Sequence, residues 1–261
     1  MTYTTSLNPE MIRALATAFP RLSAPATSWG NVISNHLLLR HLRGYWPFTS
    51  VDENGDVYDL SGQGRVLTNN NAVPFASAGL MTYADFTPGS NHYFSRADEA
   101  GLSITGALTV GGWFWLDTLA SGADQGLIGK YDTAGNDRSY QLRFLDATNL
   151  FIFVVSVDGT ATTIVTFPTS PVINTWYHVV GRYTPSTTID IYVNGVKATN
   201  AVAIPAALDD NVSAFEIGAM SAGGARLDGR ASHCFLCADD LEDYFIKALF
   251  WHSCPLVGVK P

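Results

Sequence analysis

Charge is scarce in this 261-residue chain: Asp, Glu, Lys and Arg make up only 15% of it. The balance is acidic, with a formal net charge of −8 and a pI near 5.1, so there is no basic face to attract nucleic acid or an anionic membrane. Three cysteines, all beyond residue 233, are too few and too clustered for a disulfide framework, and an odd number suits a reducing compartment. No apolar run is long enough to cross a bilayer, and MTYTTSLNPEM has no basic stretch leading into an apolar one. Synthesis and folding in a cytoplasm is the corresponding expectation. Glutamate occurs five times, at Glu10, Glu53, Glu99, Glu216 and Glu242, and never in the alternating-acid pattern that places two carboxylates across a glycosidic bond. A Gly-x-Ser-x-Gly elbow and a phosphate-binding loop are also missing, so the chain is expected not to be an enzyme.

What is plentiful is turn and strand material: 47% hydrophobic residues, 23 Gly and 12 Pro. That composition suits many short strands joined by turns, built as one β-rich domain with an appendage. The clearest stretch is Asn174–Ala198. Trp176 to Tyr183 reads as a strand ended by Thr184-Pro185-Ser186. In the next strand Ile189, Ile191 and Val193 share one face, and Asp190 and Tyr192 share the other. Asn194-Gly195 tolerates positive φ at both positions, which predicts a type I′ turn pairing Val193 with Val196. Further strands are expected at 83–86, 93–95, 107–116, 126–131, 140–144, 150–157, 162–167 and 215–219, with a polar loop at Asn69 to Asn71. A helix is expected over Ala238 to Phe250, with Asp239, Asp240, Glu242 and Asp243 as acids near its start.

Residues 1–43 have a different character and are assigned to an N-terminal arm, with the sandwich occupying 44–261. Asn8, Pro9 and Glu10 form a helix start, and Met11, Ile12, Leu15 and Phe19 fall on one apolar face. So short a helix is marginal alone in water, so its face needs cover, either from the sandwich or from another subunit.

Three groups of residues carry candidate chemistry. Tyr131, Asp132, Asn136, Asp137 and Arg138 form a loop whose residue types hydrogen-bond sugar hydroxyls and stack on sugar rings. Cys234, Cys237, His252 and Cys254 supply four soft donors for zinc, although Phe235 and Leu236 between the first pair read as buried strand, and ordinary buried thiols are preferred. Trp113, Trp115 and Trp176 lie within strands and are assigned to packing.

The ordered motifs YWPF (45–48), YDLSGQG (58–64), HYFSR (92–96), LTVGGWFWLD (108–117), LIGKYD (127–132), YQLRF (140–144), TWYHVVGRY (175–183), IDIYVNGV (189–196) and FEIGA (215–219) resemble the laminin-G-like, concanavalin-A-like jelly rolls of the bacterial and phage-associated branch. The resemblance implies an all-β, two-sheet antiparallel jelly-roll sandwich with a short N-terminal helical arm, a short C-terminal helix, and rim loops that bind sugars or proteins. It also implies calcium in many relatives, for which Asp59 is a candidate ligand. Here Ser232 and His233 stand where relatives carry an acidic pair, and this weakens the calcium expectation. The leading functional expectation is a virion surface protein, decorating a capsid or tail assembled in a host cytoplasm. Its partners would be capsid or tail subunits and, as an oligomer, its own copies. The alternative is a carbohydrate-binding module for a cell-surface glycan, with a glycan hydrolase ranked last.

Overall fold

A computed structural model of the chain describes residues 41–119 and 122–257. The arm residues Met11, Ile12, Leu15 and Phe19, and the side chain of His252, lie outside the described residues. In chain order the first strands are β1 (Leu42–Trp46), β2 (Thr68–Asn70), β3 (Phe75–Ala78), β4 (Met81–Phe86), β5 (Tyr93–Arg96), β6 (Leu108–Leu116), β7 (Gln125–Asp132) and β8 (Asp137–Leu145). Then come β9 (Leu150–Ser156), β10 (Thr162–Thr166), β11 (Trp176–Thr184), β12 (Thr188–Val193), β13 (Val196–Asn200), β14 (Phe215–Ile217), β15 (Gly229–Cys237) and helix α1 (Asp243–Val257).

The strands form two antiparallel sheets. One has eight strands in the order β13-β12-β11-β6-β15-β4-β3, with β1 also pairing β15; the other has seven, in the order β10-β9-β8-β7-β14-β5-β2. Their inner faces meet in one core. Leu108, Val110, Phe114 and Leu116 of β6 and Ile189, Ile191 and Val193 of β12 pack there against Tyr140, Leu142 and Phe144 of β8 and Phe151, Phe153 and Val155 of β9. Period-two alternation alone puts these residues on one side of each strand. The Asn194-Gly195 turn forms as the sequence indicates, with φ of 50° and 76° and Val193 opposite Val196. Asn194 also accepts the His178 N–H at 2.9 Å through Oδ1, so the turn is tied to β11.

The outer face of the eight-stranded sheet departs from a simple polar exterior. Asp190 and Tyr192 point away from the core, as alternation requires, yet both are buried because α1 lies across them. Arg182 reaches Asp190 at 2.6 Å and Asp243 at 2.9 Å, and the Tyr192 hydroxyl donates to Asp243 at 2.6 Å. Further along the helix, Phe250 stacks near Trp113 and His178, and the Trp113 indole N–H donates to the Ser253 hydroxyl at 2.9 Å.

The helix begins later than its acids suggest. The Thr109 hydroxyl donates to the Asp239 carbonyl at 2.7 Å and accepts the Leu241 N–H at 3.0 Å, while the Ala238 N–H bonds His41 O at 2.7 Å. With its backbone satisfied in this way, the segment stays non-helical, so of the four acids only Asp243 lies in the first helical turn. The polar stretch read as a loop at Asn69 to Asn71 contributes to the short edge strand β2, paired with β5. Strand β1 begins at Leu42, two residues inside the segment assigned to the arm, and pairs Leu42 with Cys237.

Strand β15 sits at the middle of its sheet and changes partner halfway. Gly229–Ala231 pair with β4, and Cys234–Cys237 pair with β1. Between them the register against β6 slips from Ser232 opposite Trp113 to Phe235 opposite Gly111, a bulge of one residue in which His233 has φ 50°. On the other side of β6 a Cβ on Gly111 would lie 2.5 Å from the Val179 carbonyl, so β6 and β11 approach this closely only because that side chain is absent.

Phe250→Ala should cost about 3–4 kcal/mol of unfolding free energy in a denaturant titration, because it opens a cavity between the helix and Trp113. Trp251→Ala, at a residue 53% exposed, should stay within about 0.5 kcal/mol. Burial among these rings, with the His233 charge as the lesser cause, lowers the His178 pKa to about 3. A depressed histidine gives stability that is present above its ordinary pKa of about 6.5 and is lost as pH falls toward the folded value. His178→Leu should therefore flatten the fall in stability between pH 6.5 and 4, as read from thermal melts.

Candidate functional site

Helix α1 covers the outer face from the Arg182–Asp190 end as far as Trp113, and one row of the sheet lies beyond it. Strand pairing sets Trp176 opposite Trp115, Trp115 opposite Arg230, and Arg230 opposite Asp85, a line across four neighbouring strands. Tyr83, two residues before Asp85, shares their face. The Arg230 guanidinium carbon lies 4.8 Å from the Trp115 ring centre and 5.2 Å from that of Tyr83. Trp176 meets both rings edge-on, with centroids 5.7 Å from Trp115 and 5.8 Å from Tyr83. Trp176 is buried in a cluster with Trp113, Phe250 and Cys254, and Trp115 and Tyr83 are half-buried. The side chains of Arg230 and Asp85 are 27% and 37% exposed, and Arg230 Nε stands 3.7 Å from Asp85 Oδ1. The Trp115 indole N–H donates to Asp117 at 2.8 Å, which fixes the ring plane.

The result is a half-buried platform in which the guanidinium lies over the faces of two rings, with a carboxylate beside it. Ring faces offer the flat, weakly negative surface that polarised C–H groups and cations pack on. The guanidinium only donates hydrogen bonds and the carboxylate only accepts them, so together they suit hydroxyl groups, which do both.

The structure places the loop assigned to ligand binding at the end of the seven-stranded sheet. It forms the turn between β7 and β8, with Tyr131 buried, Asp132, Asp137 and Arg138 half-buried, and Asn136 exposed. Most of its polar groups are engaged internally. Arg138 donates to the Gly159 carbonyl at 2.9 Å and lies 6.0 Å from the Tyr131 ring centre, and Asp132 accepts the Ala134 N–H at 2.9 Å.

Asp59 organises a turn. Its carboxylate accepts the N–H groups of Tyr45 (3.0 Å), Ser61 (2.8 Å) and Arg65 (3.0 Å), and the Ser61 hydroxyl (2.8 Å). With donors on both oxygens, this carboxylate does not fit a calcium site, which needs oxygen lone pairs free for the ion. The cysteines do not converge either. Cys234 lies in the core between the sheets, Cys237 packs with Tyr45 and Leu241, and Cys254 packs with Trp113 and Phe250. Burial raises the Cys237 thiol to about 12 and the Cys254 thiol to about 11, so both stay protonated near neutral pH. Among the described residues, no group of three or more His, Cys, Asp or Glu side chains is placed to hold a metal ion.

One further carboxyl group stands out, that of Glu216 on β14. It is 3% exposed and accepts the Gly223 N–H at 2.7 Å, pinning the loop that follows the strand. Burial is the main cause that raises its pKa to about 7. Such a value suits an acid catalyst, but the group is enclosed and its hydrogen bond serves the loop.

The two packed antiparallel sheets define a jelly-roll sandwich. The chain belongs to the concanavalin A-like lectin/glucanases superfamily, whose laminin G-type family model matches residues 88–233. A search of curated proteins found no match. Among solved structures, the binding domain of paraclostridial mosquitocidal protein 1 superposes with a TM-score of 0.64 at 14% identity, covering 82% of this chain and 52% of that one. The botulinum neurotoxin serotype G binding domain gives 0.60 at 12% identity, covering 80% and 50%. The binding domain of botulinum neurotoxin DC, solved in complex with SialylT, gives 0.55 at 13% identity, covering 82% and 52%. At these identities the likeness shows the fold alone, and the chain spans about half the length of the structures it matches.

The raised pKa of Glu216 has a testable sign. A carboxyl group whose folded pKa exceeds its ordinary value of 4.5 stabilises fully below 4.5, and that contribution disappears as pH rises through about 7. Between pH 5 and 8.5 this group should remove roughly 2–3 kcal/mol of stability. Glu216→Gln should abolish that part of the pH profile in denaturant titrations.

Proposed function

We propose that this chain is a non-enzymatic recognition domain that binds a glycan on the outer face of its eight-stranded sheet. The observation that carries the reading is the platform of Trp115, Tyr83 and Arg230, which stays partly exposed among the described residues while α1 buries Trp113 in the same strand. Two ring faces receive the apolar side of a pyranose, and Arg230 and Asp85 meet its hydroxyls. A rigid surface of this kind loses little conformational entropy on binding.

The solved relatives support recognition rather than turnover, since they are described as binding domains, one in complex with SialylT and another with rat synaptotagmin II. The enclosure of Glu216 also speaks against a hydrolase. The virion-surface reading depends on the arm within residues 1–43, and the comparisons favour the glycan reading over it. The Asn136 loop is retained as the competing location for a glycan.

Trp115→Ala should weaken binding at least tenfold for whichever glycan an array identifies, as measured by calorimetry, while Asn136→Ala should leave affinity within about twofold. Retained affinity in Trp115→Ala together with loss in Asn136→Ala would move the site to the loop.

A further inference from the structure

We infer that the platform selects neutral glycans and rejects their carboxylated counterparts, an inference that rests on the glycan-binding reading above. The charges in contact with it decide this. Arg230 brings one positive charge, and Asp85 beside it and Asp117 on the Trp115 indole bring two negative ones, for a local balance of −1. The whole chain has the same sign, with a formal net charge of −8.

Arg230 is also already engaged. Its guanidinium sits against two aromatic rings, and its Nε side faces Asp85. A sugar carboxylate arriving there must share the one cation with Asp85, whose Oδ1 stands 3.7 Å from Arg230 Nε. As an acceptor only, it can give Asp85 nothing in return, whereas a primary hydroxyl donates to Asp85 and accepts from Arg230 at once. Asp85 adjoins Arg230 and Asp117 holds the Trp115 indole, so a carboxylate seated over the rings would meet like charge on two sides, and a like charge at contact distance in a half-buried site costs about a tenfold loss of affinity or more. The aromatic faces hold either sugar. The acidic pair supplies the discrimination, as repulsive elements do in selective sites generally.

The test uses the full chain and matched oligosaccharides that differ only at C6: gluco-, galacto- and manno-oligosaccharides against the corresponding uronic acid oligomers, titrated by calorimetry at 50 mM and 500 mM salt. The neutral member of the pair that binds should be favoured about tenfold at low salt, and less at high salt because the repulsion is screened. Asp85→Asn should narrow the preference several-fold while the thermal melt confirms an intact fold. Asp117→Asn provides the same test if Asp85→Asn unfolds. Equal or tighter binding of the uronic acid member, or a preference untouched by both variants, would overturn the inference and leave glycan recognition standing. Absence of binding across every pair would overturn both.

Discussion

The seating of α1 on the outer face of the eight-stranded sheet is the constraint on which the rest of this structure depends. At one end Arg182 bridges Asp190 and Asp243, and Tyr192 donates to Asp243; at the other Trp113 and His178 receive Phe250 and Ser253. A buried ion pair contributes little net stability, since desolvation consumes most of its attraction, but it is costly to break, so it fixes position more than it adds stability. Apolar packing of Leu241, Ile246 and Phe250 supplies the favourable energy. Where the helix lies decides which outward residues are core and which are surface. Trp113 and Trp115 alternate with the same parity on β6, and only the one under the helix is buried.

Strand β15 is the second element of this arrangement. Its first half brings Arg230 between Trp115 and Asp85, and its second half brings Phe235 and Cys237 under the helix. The bulge at His233 separates the two roles and lets one edge serve both β4 and β1. Ser232 takes part in holding that edge, donating to the Thr82 carbonyl at 2.6 Å. Ser232 and His233 thus have a structural use in this chain.

The parts of the fold legible in the sequence were those governed by period and local turn chemistry. Ile189, Ile191 and Val193 had to share a face, and Asn194-Gly195 had to turn. The platform was not legible, because it is a row across four strands, and a row exists only once strand order and register are known. The alternation of Trp113 and Trp115 with Arg230 in a later strand was the available signal, but nothing in the sequence says that β15 lies beside β6. The loop of Asp132, Asn136 and Arg138 has the residue types of a sugar site, yet composition does not reveal that Arg138 is already bonded to Gly159. The helix start was misplaced for a similar reason: Thr109, some 130 residues earlier in the chain, satisfies the backbone near Asp239.

We propose that this domain meets its ligand at the partly exposed row of Trp115, Tyr83, Arg230 and Asp85 on the outer face. Backbone and indole N–H resonances followed by NMR during titration with a bound glycan test it most directly, because the chain has six tryptophans whose indoles report separately. The Trp115 indole and the amides of Asp85 and Arg230 should shift and saturate together, while the Trp113 indole, held by Ser253 beneath the helix, stays in place. Saturating shifts confined to Asn136 and its neighbours, with Trp115 unmoved, would contradict it.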